Sequence, residues 1–215
     1  MAAVFQWLTA GAALPMMLIV LPMLGGFILW LLKKRYIAQV ATLIIFGLAN
    51  VFLCLALYLG GEAVVSLPFA GYGFELNFVV GGLSSVLPLF TSLVALLLAW
   101  HTVAYFKKDK RGGLFLLFLF VSIGLVNGAL LSDNLPVMLV FWEGLLVCML
   151  VMLLLGNAGK PRAALKMLWI SGVADLMLML GVIVTIRVSG QSIISAITRL
   201  PVEGLGAVGC ALMLL

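Results

Sequence analysis

Six long apolar runs, separated by short polar stretches, dominate the chain. Each run is close to the ~20 residues that a helix needs to cross ~30 Å of hydrocarbon, and is far longer than a strand or a core helix of a soluble domain. The runs cover residues 10–32, 37–60, 83–106, 113–131, 135–155 and 164–186. The pattern predicts an all-α fold, a polytopic transmembrane bundle with six full spans in one membrane domain over residues 1–215.

A seventh apolar run begins near Val202 and reaches Leu215, the last residue. It would form about 21 Å of helix, which is too short to cross the hydrocarbon. We therefore expect the start of a seventh span. Either the sequence is part of a longer protein, or a partner subunit completes the packing at this end.

Two stretches outside the spans have a composition of their own. Residues 61–82 combine glycine, one proline and a short alternation of apolar and polar positions, which predicts a small extracytoplasmic hairpin or an interfacial segment. Residues 188–201 predict a second connection on the same side, with an amphipathic interfacial turn that ends at Pro201.

The ends of the fifth and sixth spans carry local signals. Asp133 or Asn134 is suited to cap the fifth span, Gly156 ends it, and Pro161 opens the sixth. Because only a few residues join the two spans, we expect them to be antiparallel neighbours.

Two spans contain prolines, which interrupt helix hydrogen bonding, or glycines, which allow close helix packing. Pro22 is followed by Gly25 and Gly26 in the first span, and Pro88 lies inside the third. Proline removes a backbone donor, whereas glycine lets two helices approach closely. Kinks or close helix contacts are expected at these places.

The distribution of charged residues predicts how the bundle is oriented in the membrane. Hydrophobic residues make up 66% of the chain and charged residues 9%, with a net charge of +5. The basic residues follow the first, third and fifth spans: Lys33, Lys34, Arg35, Lys107, Lys108, Lys110, Arg111, Lys160 and Arg162. The connections at 61–82 and 132–134 carry acids without Lys or Arg. The positive-inside rule then places the N-terminus outside, in a multi-pass protein of the cell inner membrane or an organellar inner membrane. The basic balance does not indicate nucleic-acid binding.

The sequence contains no recognisable redox site. It has no glycine-rich nucleotide loop, no cysteine cluster and no histidine pair at haem or metal spacing. Cys54, Cys148 and Cys210 each stand alone and are interpreted as small apolar fillers. We expect no cofactor and no metal in this chain, which alone is not an oxidoreductase.

Glu143 is the residue that the surrounding sequence makes most unusual. It lies ten residues after Asp133, about 15 Å into the fifth span, which places it near mid-membrane. A carboxylate at this depth costs roughly 2.5–3.5 kcal/mol on insertion scales, so an acid kept there is expected to have a task. Glu143 is the candidate proton carrier, and no other residue of the span has this character.

Lys166 and Asp175 follow in the sixth span. Nine residues separate them, so they face opposite sides of one helix ~13 Å apart along its axis and cannot pair directly. Lys166 either extends to the cytoplasmic surface or modulates the charge of Glu143. Asp175 is either a connecting acid or a structural acceptor for Ser171 or for a neighbouring helix.

Three further polar residues are candidates for a proton path. His101, near the inner end of the third span, is either a hydrogen-bonded interface histidine or a relay member. Ser122 and Asn127 in the fourth span either hold waters or form helix–helix hydrogen bonds.

Several of these motifs together resemble a known family. Asn134-Leu135 followed by Trp142-Glu143 resembles the fifth helix of one group of proteins. The segment from Ala163 to Gly181 resembles the next helix of these proteins, and the segment from Gly81 to Asp109 resembles their third. These are the antiporter-like proton-pumping subunits of respiratory complex I, of membrane-bound hydrogenases of the formate-hydrogenlyase type and of Mrp sodium/proton antiporters. The resemblance covers about residues 75–215.

The resemblance implies roles for the charged residues. In the family the glutamate of the fifth helix, here Glu143, is the protonatable carrier, with Lys166 and Asp175 at matching positions of the next helix. A lysine in a later broken helix controls it and would follow directly after Leu215. Without that lysine and a second half-channel, we do not expect a complete antiporter-like subunit.

The function that the resemblance implies is proton or sodium translocation by a non-catalytic membrane subunit of a redox-driven complex. Such a complex would be an NADH:quinone oxidoreductase or a membrane-bound hydrogenase. Expected partners are other membrane subunits, lipid and a peripheral redox arm, which would hold the Fe–S clusters, flavin or NiFe centre. The alternatives are a structural membrane anchor without its own channel, an Mrp-type cation/proton antiporter subunit and an inorganic-carbon uptake subunit.

Overall fold

The fold is a bundle of long helices with one small β-hairpin at one end. A computed structural model describes residues 13–69, 74–106, 109, 111–156, 161–198 and 209. The elements are α1 (Ala13–Leu31), α2 (Tyr36–Leu59), β1 (Ala63–Phe69), β2 (Phe74–Val80), α3 (Leu83–Tyr105), α4 (Gly112–Leu131), α5 (Leu135–Gly156), α6 (Pro161–Ser189) and α7 (Ile194–Ile197). Within these ranges, 6 helices are long and apolar enough to cross a membrane. The predicted multi-pass helical fold is confirmed, with the hairpin as its β element.

Helix α6 is longer than predicted. It has 29 residues, about 43 Å of helix, so it extends past the hydrocarbon or tilts within it. It begins at Pro161, as expected, and ends where Gly190 adopts a φ of 67° and donates its N–H to the Ile186 carbonyl at 2.9 Å. Glycine takes this left-handed conformation without a Cβ penalty, so the helix ends just before Gly190 and not at residue 186, where the predicted span ends.

Helix α4 is the centre of the bundle. It packs against α1, α3 and α5, whereas α2 packs against α1 and α3. Helix α6 packs mainly on α5, its predicted antiparallel neighbour, and leaves a wide apolar surface exposed, including Trp169 and Ile170. The four helices α1 to α4 therefore form the core, and α5 and α6 form an outer pair.

Close helix contacts occur where the small residues were found. The ring of Phe46 from α2 occupies the space that a Cβ at Gly25 would need. Gly26 lies against the Leu117 carbonyl and Phe120 of α4. These contacts confirm the prediction of close helix packing along α1.

The segment between α2 and α3 is a hairpin, one of the two predicted alternatives. Strands β1 and β2 pair antiparallel from Ala63 opposite Val80 to Phe69 opposite Phe74. Phe78 is almost fully buried and packs with Leu14 and Leu131 at the ends of α1 and α4. The hairpin is thus anchored to the bundle by its second strand.

The start of α5 connects the hairpin to α7. Residue Ser132 bridges to Phe78, and Asn134 bridges to Ile193. Between them, the Asp133 N–H donates to the Asn77 carbonyl at 2.7 Å, and the Asp133 carbonyl accepts from Ile194 N–H at 2.8 Å. The two predicted outer-side connections therefore meet at one end of the bundle, which we call the hairpin end.

Asp133 does not cap α5. Its carboxylate accepts hydrogen bonds from Ser195 N–H at 2.8 Å and from Ser195 Oγ at 2.6 Å, so it caps the start of α7 from another part of the chain. Asn134 takes the position before α5, where its carbonyl accepts the Met138 N–H at 2.9 Å. The carboxylate of Asp133 supplies the cap that α7 otherwise lacks, since Ile193, the residue before that short helix, makes no side-chain cap hydrogen bond.

The described basic residues agree with a sorted charge distribution. Most lie exposed at the end opposite the hairpin: Lys33, Lys34, Arg35, Arg111, Arg162 and Lys166. The exception is Arg187, in the last turn of α6 at the hairpin end, where a cation complements the helix dipole. Lys107, Lys108, Lys110 and Lys160 lie outside the described residues.

The predicted seventh span also lies outside the described residues, apart from one position. Gly209 is buried, and a Cβ there would meet the side chain of Thr185 and, at 3.2 Å, the Gly181 carbonyl. Cys54 and Cys148 are buried and free, as fillers should be, whereas Cys210 and Pro201 are not described.

Candidate functional site

A groove between α5 and α6 brings two of the predicted site residues together. Its volume is about 290 Å³, and Glu143 and Asp175 line it from opposite helices. Ser171 and Gly172 add a hydroxyl and an open stretch of backbone, and the remaining lining is leucine, valine and methionine. The groove is therefore a mostly apolar cleft that contains two carboxyl groups.

Glu143 lies near the middle of α5. It is eight residues from Leu135 and thirteen from Gly156, or about 12 and 20 Å along the axis. The side chain is partly buried, and its Oε1 has no hydrogen-bond partner among the described residues. An ionisable oxygen left unpaired at this depth is costly as a purely structural feature.

Asp175 is buried on the facing helix. Its Oδ1 accepts a 2.9 Å hydrogen bond from Trp142 Nε1, and its Oδ2 is buried with no partner in the described part of the chain. Of the two structural acceptor roles predicted for Asp175, the geometry shows the bond to a neighbouring helix and not the bond to Ser171.

Trp142 is the site residue that our sequence reasoning missed. In the sequence analysis Trp142 is named only as part of the Trp142-Glu143 motif that resembles the family, and no role is predicted for it. A signal was present, because a tryptophan N–H inside an apolar helix requires an acceptor, and Asp175 is an acid in the adjacent span.

Lys166 does not reach the groove. Its side chain is exposed near the start of α6, while Asp175 on the same helix is buried, in agreement with the predicted opposite faces. The ion pair between described residues is a different one, Arg111 with Asp109 at 3.2 Å on the surface. Glu143 and Asp175 are close enough to interact electrostatically, with no described cation between them.

The three candidates for a proton path lie in three separate places. Ser122 donates to the Leu119 carbonyl at 2.7 Å and lines a groove of about 240 Å³ between α3 and α4. His101 stacks on Tyr105 and lines another groove, of about 580 Å³, at the end opposite the hairpin. Asn127 is fully buried and faces α1 and α2. Within the described ranges, the structure does not bring these three into one cavity.

The chemistry open to the site follows from its two acids. Neighbouring carboxyl groups with unpaired oxygens can take up, share and release a proton, or hold a small cation. No group of three or more His, Cys, Asp or Glu that would hold a metal ion occurs in the part of the chain that the structure describes.

Comparison with known sequences points to one family. The transmembrane family described as NADH:quinone oxidoreductase/Mrp antiporter matches residues 132–215, which include Glu143, Lys166 and Asp175. The Na(+)/H(+) antiporter subunit A1 of Staphylococcus haemolyticus (strain JCSC1435) is 31% identical over 77 residues. That alignment covers 36% of this chain and 9% of the relative, so the chain matches a small part of a much longer protein.

Solved structures show the same fold over nearly the whole chain. A chain of respiratory complex I from Thermus thermophilus with bound NADH aligns with a TM-score of 0.74 at 24% identity. A chain of the archaeal membrane-bound sulfane sulfur reductase, a respiratory membrane complex, aligns with a TM-score of 0.73 at 15% identity. Each alignment covers 93% of this chain and 43% of the other, so the chain spans less than half the length of these relatives.

The three lines of evidence agree. The family match contains the groove of Glu143 and Asp175, the sequence relative is an antiporter subunit, and the fold is that of chains in respiratory membrane complexes. Residues 132–215 match the NADH:quinone oxidoreductase/Mrp antiporter transmembrane family, and the fold is similar to that of chains in respiratory membrane complexes.

Proposed function

We propose that this chain translocates protons as a membrane subunit of a redox-driven complex, with Glu143 as the proton carrier. The observation that carries the proposal is the unpaired Oε1 of Glu143, buried midway along α5 in a groove that also contains Asp175. A glutamate kept only for packing is expected to have its oxygens satisfied by donors.

The groove supports a division of roles. Glu143 would hold the proton, and Asp175, steadied by Trp142, would pass it to or from the carrier. Lys166 lies exposed at the end opposite the hairpin, where it would attract or admit protons from the cytoplasm and not pair with Glu143 directly. The basic residues at that end support the predicted orientation, with the hairpin end outside.

The redox coupling is part of the same proposal. The two structural relatives are chains of respiratory membrane complexes, which supports an assembly with further membrane subunits. A peripheral arm of partner subunits would carry the Fe–S clusters, flavin or NiFe centre, since the sequence of this chain has no recognisable redox site. A lysine from a partner, or from chain beyond the described residues, would approach and leave Glu143 and so load and release its proton.

A second candidate function is cation/proton antiport without a redox partner. The sequence relative with 31% identity, named a Na(+)/H(+) antiporter subunit, favours it. The two candidates differ in what co-purifies with the chain. Iron–sulfur or nickel–iron subunits would support the redox-driven complex, whereas transporter-type membrane subunits alone would support the antiporter.

The decisive experiment replaces Glu143 in the intact complex. Glu143→Gln keeps the shape of the side chain and removes its proton chemistry, so proton uptake into sealed vesicles should fall to background. The matched control is Glu62→Gln, at an exposed position next to the hairpin, which should leave proton uptake unchanged. A native gel checks assembly in both variants. Full pumping by an assembled Glu143→Gln complex would make the chain a structural anchor and overturn the proposal.

A further inference from the structure

A second polar cluster lies inside the bundle, away from the groove of Glu143. Asn50 of α2 and Asn127 of α4 are 2% and 0% exposed, and they meet among apolar residues that include Leu18 and Leu53. Buried amides in such surroundings require partners for every donor and acceptor. The hydrogen bonds present do not supply them all.

Pro22 explains why Asn127 is there. In a regular helix the carbonyl of Leu18 would accept the N–H of the residue four positions later, but that residue is Pro22, which has no N–H. Asn127 Nδ2 donates to the Leu18 carbonyl at 2.9 Å instead. The amide of α4 thus fills the gap that proline leaves in α1.

The second hydrogen of the same nitrogen is also used. Asn127 Nδ2 donates to Asn50 Oδ1 at 3.3 Å. The two remaining amide atoms, Asn127 Oδ1 and Asn50 Nδ2, are buried and have no partner in the described residues. One is an acceptor and the other is a donor.

Exchanging the positions of the amide oxygen and nitrogen in either side chain does not give every amide atom a partner. A turned Asn127 would point its oxygen at the Leu18 carbonyl, and a turned Asn50 would set two NH₂ groups against each other. Each arrangement replaces a hydrogen bond by a repulsion between like atoms. The Leu18 carbonyl therefore fixes the orientation of both side chains.

We propose that a buried water molecule bridges Asn127 Oδ1 and Asn50 Nδ2. Water donates to the oxygen and accepts from the nitrogen, which a metal cation or an anion cannot do at once. Two buried amide atoms left unpaired would each keep their full desolvation cost, which favours occupancy. The water would link α1, α2 and α4 through the two amides, and this inference does not depend on the role of Glu143.

The test is a cryo-EM map of the intact complex at a resolution that shows ordered water. We expect a peak within about 2.7–3.2 Å of both amide atoms. An empty position, or two amides paired directly through two mutual hydrogen bonds, would overturn the proposal. This map needs no variant and so does not depend on whether a substitution folds.

A matched pair of variants adds a second measurement. Asn50→Leu should remove the water peak and leave the bond between Asn127 and Leu18. Gln39→Leu removes another buried amide, one that donates to the Leu29 carbonyl at 3.2 Å, and should leave the peak in place. A peak that persists in Asn50→Leu would show that other groups hold the water, and it would contradict the bridge.

Discussion

Trp142 holds Asp175 across the interface between α5 and α6. The indole Nε1 donates to Asp175 Oδ1 at 2.9 Å, and Trp142 directly precedes Glu143 in the same turn. One turn of α5 therefore contains both the candidate carrier and the donor that positions the second acid. We expect the separation of the two carboxyl groups to depend on this bond.

Trp142→Phe tests that dependence. The ring and most of its packing remain, but the donor is lost, so Asp175 is left with both oxygens unpaired in the groove. A buried acceptor that loses its donor costs about 1–3 kcal/mol. We expect proton translocation per turnover to drop roughly tenfold in the intact complex, since about 1.4 kcal/mol changes an equilibrium tenfold, and the native gel to show normal assembly.

Trp169→Phe is the control for loss of an indole. Trp169 lies on α6 and is 75% exposed, against 44% for Trp142 on α5, so its replacement should leave translocation unchanged. Equal losses in the two variants would mean that the membrane-facing aromatic surface matters and that the bond to Asp175 does not.

The spans were predictable because hydrocarbon imposes a simple rule on sequence. Every helix end lay within about three residues of the predicted one, since length and apolarity set both. The hairpin was foreseen only as one of two alternatives. Asn134, one of the two residues predicted to cap α5, takes the position before that helix. The carboxylate of Asp133, the other one, serves Ser195, 62 residues away, a contact that no local pattern encodes.

The site was predictable in part for the same reason. An acid within a span stands out, so Glu143 and Asp175 could be named, and the short connection predicted that their two helices are antiparallel neighbours. The partner of Asp175 and the link from Asn127 to Leu18 depend on how helices rotate about their axes. Uniformly apolar helices carry little pattern that fixes this rotation, so side chains on facing helices could not be paired beforehand.

Asp133→Ala should destabilise the hairpin end. It removes the acceptor of two Ser195 hydrogen bonds and uncaps α7, which together should cost about 1–3 kcal/mol. Thermal unfolding of the detergent-solubilised complex should show a lower midpoint, and proteolysis should cut earlier near residues 190–198. Asp109→Ala, which breaks an exposed ion pair with Arg111, should shift the midpoint far less. Equal shifts would argue against the cap.

Pro22 and Asn127 should be energetically coupled. Asn127→Leu leaves the Leu18 carbonyl unpaired in wild-type α1, and a cost of about 1–3 kcal/mol is expected. In Pro22→Ala the new N–H can bond to that carbonyl, so the same Asn127→Leu change should cost less. A double-mutant cycle on unfolding midpoints should give a coupling of about 1 kcal/mol. Strict additivity would show that the amide does not compensate for the proline.

Lys166→Gln should separate the two interpretations of this lysine. The side chain is exposed and outside the groove, so its loss should change stability by no more than about 0.5 kcal/mol. If Lys166 attracts protons to the cytoplasmic end, translocation should slow several-fold at low ionic strength, and the difference from wild type should shrink as salt screens the charge. Arg162→Gln, an exposed cation one turn earlier, is the matched control and should have a smaller effect. Complete loss of translocation at all salt concentrations would instead place Lys166 in direct control of Glu143, and would require α6 to rotate during the cycle.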